Sequence, residues 1–160
     1  MSVIVKIENL NVGYENKPDV LKNISLNIYA NDFLGIIGPN GGGKTTLLKS
    51  ILGLTNPSSG NITFYDEGGR ISNLNIGYLP QINHIDKKFP IKVKDVILSG
   101  LTLRGNLFKR YSAKDKAKIH PVAQKMGVEN LLERAIGELS GGQLQRVLLG
   151  RAIIDSPKLL

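Results

Sequence analysis

The clearest chemistry in this chain lies in Gly38-Pro39-Asn40-Gly41-Gly42-Gly43-Lys44-Thr45, which fits the pattern G-x-x-x-x-G-K-[ST]. A polyphosphate needs several backbone N–H groups turned toward it, and glycines let a chain curl and approach without a Cβ in the way. Lys44 is spaced to reach the outer phosphates as a point charge, and Thr45 to offer its hydroxyl to Mg²⁺. Thr46 is the next candidate, for the innermost phosphate. A helix beginning at Lys44 would add the partial positive charge of its N-terminus. Such a loop binds a nucleoside triphosphate without naming the base, so GTP stays open at this point.

A second device stands at Leu139-Ser140-Gly141-Gly142-Gln143. Ser140 is a helix N-cap residue, the two glycines leave a bare helix start, and a periodic apolar run follows. On these grounds alone the segment reads equally well as a second anion-binding helix start and as an ordinary capped helix.

The loop requires a strand before it and a helix after it, and the pattern supplies both. Phe33–Ile37 is a short, nearly continuous apolar run, expected to be a strand covered on both faces. Lys44–Leu54 carries Leu47, Leu48, Ile51 and Leu52 at helical spacing. Upstream, Val3, Val5 and Ile7 alternate with Ile4, Lys6 and Glu8, and Ile24, Leu26 and Ile28 with Ser25, Asn27 and Tyr29. Both stretches predict half-buried antiparallel strands, with turn residues over Gly13–Asp19 between them. Gly60–Tyr65 and Asn75–Leu79 predict two more strands around a turn-rich Asp66–Ser72. From Val93 to Gly127 the pattern is helical, with Val96, Ile97 and Leu101 on one face and Pro121 as a first-turn residue or kink. A last helix is expected from about Ser140 to about Ile154, and Pro157–Leu160 opens another apolar strand. No internal repeat or low-complexity segment is visible.

Composition restricts the class. With 41% apolar and 21% charged residues over 160 positions, one ordinary globular unit is the expectation. The longest apolar runs are broken by charge, as Leu144–Ile154 is by Arg146 and Arg151, so none approaches a bilayer span. The start of the chain does not have the layout of a signal peptide, and the absence of cysteine excludes disulfides and thiolate metal sites, which agrees with a cytosolic setting. The net charge of +8 is compatible with nucleic acid, an anionic membrane surface or an anionic small ligand. Its local groups, at Lys87, Lys88, Lys92, Lys94 and at Lys109, Arg110, Lys114, Lys116, Lys118, read as solvated faces.

Leu139–Gln143, continued by Leu144-Gln145-Arg146, is the LSGGQ signature, and with the loop at Gly38–Thr45 the whole chain resembles the ABC ATPases. The resemblance implies an α/β fold: a P-loop NTPase core with an N-terminal antiparallel β subdomain and a helical, signature-bearing subdomain, incomplete at the C-terminus. It divides the chain into residues 1–90 (β subdomain and loop core), 91–139 (helical subdomain) and 140–160 (signature helix and start of the Walker B strand). It implies ATP and Mg²⁺ as cofactors, held by Gly38, Pro39, Asn40, Gly41, Gly42, Gly43, Lys44, Thr45 and Thr46. Tyr14 resembles the aromatic that stacks on adenine. Gln81, in Tyr78-Leu79-Pro80-Gln81, resembles the glutamine that contacts Mg²⁺ and the attacking water and senses the membrane partner. Lys44 and Gln81 are thus the candidate catalytic residues, and Thr45 and Gln81 the candidate metal ligands.

In that family Ser140, Gly141, Gly142 and Gln143 of one subunit would meet the γ-phosphate on the loop of a second subunit in a head-to-tail dimer. Phe89–Ile97 looks like the import ATPases that serve zinc, manganese or iron-chelate uptake. The partners implied are multi-span permease subunits, a second ATPase subunit and, indirectly, a solute-binding protein, with no nucleic acid and a position on the inner face of the cell membrane. His84 and Asp86 are expected to be solvated loop residues rather than ligands of the transported ion. The alternative is a soluble ABC ATPase acting on the ribosome or DNA, which the positive charge would suit. The single cassette and the absence of sustained heptads between loop and signature weigh against it.

In the family the strand opening at Pro157-Lys158-Leu159-Leu160 ends in the Asp-Glu pair that holds Mg²⁺ and polarises water. Those acids have no position here, so the expectation is a truncated chain that binds nucleotide weakly without turning it over. An apolar sheet edge left bare would also make it prone to aggregate.

Overall fold

The computed structural model describes residues 2–81, 89–101 and 111–160. Instead of one globular unit the chain forms two compact units, Met1–Leu74 and Asn75–Leu160. His84 and Asp86, and the basic residues Lys87, Lys88, Lys109 and Arg110, lie outside the described residues.

The first unit is built on an antiparallel sheet of β1 (Val3–Tyr14), β2 (Lys17–Tyr29), β3 (Ser59–Asp66) and β4 (Gly69–Ile71), in the order β2-β1-β3-β4. The alternation expected at Val5 and Ile7 and at Ile28 holds, and these side chains are buried. The strands are longer than the pattern indicated: β1 and β2 continue to Tyr14↔Lys17, so most of the expected turn is ladder. Within β1 the buried positions run Val5, Ile7, Leu10, Val12, a change of phase between Ile7 and Leu10. Asn9 takes a left-handed φ of 49° there, and the ladder register shifts. One extra residue keeps Leu10 and Val12 turned inward, where strict alternation would have faced them to solvent. β4 falls in the stretch expected to be only turn; three residues are too few to show a period.

Helix α1 (Lys44–Ile51) ends short of the expected Leu54; it buries Leu47 and Ile51 and contacts β2, while Leu48 stays exposed. Phe33–Ile37 corrects the expectation of a covered strand. It forms no ladder, and Phe33 and Ile37 are 98% and 95% exposed. A strand buried on both faces needs neighbours on both edges; the four strands of this unit pair among themselves and offer it none.

The second unit is helical: α2 (Val93–Leu98), α3 (Ala113–Ala117), α4 (Ile119–Met126) and α5 (Gly141–Ile153), with 3₁₀ turns at Glu129–Leu131 and Ile136–Glu138. Ile97 of α2, Ala123 of α4 and Val147 of α5 are fully buried together. Pro121 sits in the first turn of α4, where its missing N–H costs nothing. The start of α2 is tied to the stretch between the two 3₁₀ turns by Val93 N to Arg134 O (3.0 Å) and Lys94 N to Leu132 O (3.1 Å). Glu133 joins Lys92 (2.8 Å) and Lys94 (2.5 Å) outside it. The strands expected at Asn75–Leu79 and Pro157–Leu160 are reduced to one parallel bridge, Ile76↔Leu159, with Gly77 N bonded to Leu159 O at 2.8 Å.

Candidate nucleotide-binding site

The loop Gly38–Gly43 is curled by its own backbone: Gly42 N donates to Pro39 O at 3.1 Å, and Gly41 and Gly43 take φ values of 77° and 81°. At Gly43 a Cβ would lie 2.6 Å from Leu21 Cδ2 and 3.0 Å from Val20 O, so glycine is demanded by both dihedral angle and space. The Lys44 ammonium bridges the loop, donating to Gly38 O (2.9 Å) and Pro39 O (2.7 Å). Those partners are neutral carbonyls, so the charge of Lys44 stays available to an anion.

Gly43 is the N-cap of α1 and brings no side-chain cap. The first N–H groups of this helix therefore face outward without an internal acceptor, which is the arrangement that phosphate oxygens satisfy. The Thr45 side chain is exposed at this helix start. Thr46 is buried, and its Oγ1 lies 3.5 Å from the Tyr14 hydroxyl. Ser50 Oγ donates to Thr46 O at 2.9 Å and fixes this first turn. Hydrogen bonds with Thr46 and then Thr55 lower the Tyr14 phenol from its ordinary pKa. Tyr14 stays 44% exposed, with ring surface left for a ligand. The structure thus joins Tyr14 to the helix that carries the loop, and adds Thr55, whose unremarkable type and distance in sequence gave no signal.

These residues fit a Mg²⁺-bound triphosphate. Uncapped N–H groups, one lysine and an exposed threonine hydroxyl suit a ligand that brings its own phosphate oxygens to the metal. Among the described residues there is no group of three or more His, Asp or Glu that could cage a metal ion.

Ser140 and Gln143 lie in the second unit. Ser140 caps α5 in a reciprocal box: Gln143 N donates to Ser140 Oγ (3.3 Å), and Ser140 N to Gln143 Oε1 (2.9 Å). Gly141 and Gly142 are exposed, and a Cβ on either would meet nothing within 4 Å. Gln81, also exposed, shares a cleft of about 680 Å³ with Leu79, Pro80, Gly142, Gln145, Arg146 and Leu149. Gln81 and the capped helix thus come together within one unit. Gln145, Arg146 and Leu149 were missed as lining residues, although the step of three to four residues along α5 from Gly142 marks them.

A phosphate loop with an uncapped helix, an aromatic at its side and a second capped helix start define a P-loop nucleotide-binding α/β protein. The sequence model of the ABC transporter family matches residues 21–160, and the chain belongs to that family. It is 41% identical over 159 residues to the manganese transport system ATP-binding protein of Halalkalibacterium halodurans, covering 99% of this chain and 63% of that protein. It is 39% identical over 163 residues to the zinc uptake system ATP-binding protein of Listeria monocytogenes, covering all of this chain and 63% of that one. Among solved structures, the ADP conformation of an ATP-binding cassette of an ABC transporter superposes with a TM-score of 0.77 at 27% identity, over 98% of this chain and 66% of that one. The chain spans about 63% of the length of these curated relatives.

Proposed function

We propose that this chain is the nucleotide-binding part of the ATP-binding subunit of a metal-ion importer, in which binding and hydrolysis of ATP drive uptake of manganese or zinc. The observation that carries the nucleotide reading is the uncapped N-terminus of α1 behind the curled glycine loop, with Lys44 held across it. The metal-ion reading rests on the manganese and zinc transport functions of the relatives.

In this reading the backbone amides of Gly41–Thr46 hold the phosphates, and Lys44 turns from its carbonyls to the β- and γ-phosphates. The Thr45 hydroxyl ligates Mg²⁺, Thr46 approaches the α-phosphate, and Tyr14 stacks on adenine. Mg²⁺ held by the Thr45 hydroxyl would supply neutralisation of the charge that develops on the phosphates. Gln81 is assigned the orientation of the attacking water. Gly141 and Gly142 have neither steric nor dihedral need within the chain, which fits a helix start kept bare for a phosphate on a second copy. That supports a head-to-tail pair in which Ser140–Gln143 of each copy faces the loop of the other.

The further partners are multi-span permease subunits and, through them, a solute-binding protein, with no nucleic acid and a place at the cytoplasmic face of the membrane. No helix among the described residues is long and apolar enough to cross a bilayer. The division into residues 1–90, 91–139 and 140–160 belongs to the same proposal. So does the hydrolytic silence of the 160-residue polypeptide by itself, since its loop residues bring amides, hydroxyls and an ammonium but no carboxylate to polarise water. Multiple-turnover phosphate release is the test: background-level release, with retained Mg-ATP binding, is expected. Release above background that Lys44→Ala abolishes would contradict it.

A further inference from the structure

Tyr14 can meet a base only if the end of the β1–β2 hairpin is held in one place, and the strands leading to it are irregular. The ladder between β1 and β2 changes register between Ile7 and Leu10, between Leu10 and Val12, and between Val12 and Tyr14. Two asparagines take left-handed conformations at these irregularities, Asn9 (φ 49°) in β1 and Asn23 (φ 50°) in β2. The pairing of β1 with β3 also shifts, between Glu8 and Asn11. Bulged strands lose ladder hydrogen bonds and twist more strongly, and here side-chain bonds take up part of the pairing.

Asn11 supplies bonds to both neighbouring strands. Its Nδ2 donates to Asn9 O (2.9 Å) and to Ser59 Oγ (2.9 Å), and its Oδ1 accepts from Asn23 N (2.9 Å). Its backbone oxygen accepts from Ser58 N (2.9 Å) and Ser58 Oγ (3.0 Å). One side chain thereby bonds the Asn9 carbonyl and the Asn23 amide and links β1, β2 and β3, while Ser25 Oγ accepts from Asn9 N (3.0 Å). Between Asn11 and Tyr14 there is little slack: Val12 is fully buried, and Gly13 runs so close to Pro18 that a Cβ would overlap its carbonyl.

We propose that Asn11 is a positioning residue for the nucleotide base, fixing the bulged hairpin that carries Tyr14 and so the placement of the Tyr14 ring. The inference rests on reading Tyr14 and Gly38–Thr46 as the nucleotide site. It separates base from phosphate, because the curl of the loop depends on local contacts, Gly42 N to Pro39 O and Lys44 to Gly38 O and Pro39 O, in which Asn11 has no part.

The test is binding of Mg-ATP and of inorganic tripolyphosphate to the full chain, wild type and Asn11→Ala, with Tyr14→Ala and the double variant completing a cycle. Tyr14→Ala is expected to weaken Mg-ATP about tenfold by loss of stacking, and Asn11→Ala about fivefold, both leaving tripolyphosphate unchanged. The double variant should bind Mg-ATP no more weakly than Tyr14→Ala alone, the mark of a residue that acts through another. Equal weakening of both ligands, full additivity with Tyr14→Ala, or unchanged Mg-ATP affinity would each overturn the inference. Asn11→Asp keeps the acceptor for Asn23 N while losing both donors, and replaces Asn11→Ala under the same criteria should that variant not fold. A wild-type chain that binds neither ligand overturns the nucleotide-site reading itself; one that binds both but ignores Asn11 overturns only this inference.

Discussion

Two helices of this chain begin with glycines, and they begin differently. Helix α1 starts at Gly43 in a left-handed conformation with no side-chain cap, while α5 starts at Ser140 with a complete capping box. Both starts offer partial positive charge. At α1, however, the amides lack an acceptor and a lysine lies beside them, whereas at α5 the chain has already satisfied the Gln143 amide. A helix start left open is arranged to bind by itself; one that is capped and bare of side chains is arranged to be approached. The contrast is the basis for proposing that α1 carries the nucleotide site of a single chain and that α5 adds to the site of another.

Removing charge at α1 should have the largest effect. Lys44→Ala is expected to weaken Mg-ATP about a hundredfold or more, because a charge-assisted contact to phosphate is lost. Gly43→Ala comes next, since a left-handed φ costs a non-glycine residue about 1–2 kcal/mol. The new Cβ also crowds Leu21 and Val20. Thermal unfolding should show lower stability together with weaker nucleotide binding.

At α5 the sign of the comparison reverses. Ser140→Ala should cost about 1 kcal/mol of stability in the helical unit through the lost cap. Nucleotide affinity of the single chain should not change. The smallest effect belongs to Glu133, held between Lys92 and Lys94, whose hydrogen bonds lower its pKa to about 2 from 4.5. A carboxylate with a depressed folded-state pKa contributes stability above its unfolded value, and that contribution is lost as pH falls through the folded one. Acid unfolding of the helical unit between about pH 4.5 and pH 2 should therefore lose part of its slope in Glu133→Gln. The loss should be modest, because these groups are exposed and screened.

How much of this was legible in the sequence differs by region for the same physical reasons. The helix starts after Gly43 and at Ser140 were legible because a glycine turn and a cap depend on residue type at fixed local spacing, and local spacing survives folding. The strands were legible in kind but not in phase. The left-handed turns at Asn9 and Asn23 shift the inward positions by one residue, and no two-residue period contains that information. Phe33–Ile37 was misread because an apolar run states a demand for cover and says nothing of what supplies it. Gln81 was placed through its resemblance, but its meeting with Arg146 and Gln145 depends on how the chain returns through Ile76↔Leu159. That is a tertiary fact.

The contrast between the open and the capped helix start is tested most directly by calorimetric titration of Mg-ATP into the dilute full chain carrying either Lys44→Ala or Ser140→Ala. The account predicts that Lys44→Ala removes measurable binding while Ser140→Ala leaves the wild-type affinity intact. Equal losses in the two variants, or a loss confined to Ser140→Ala, would contradict it.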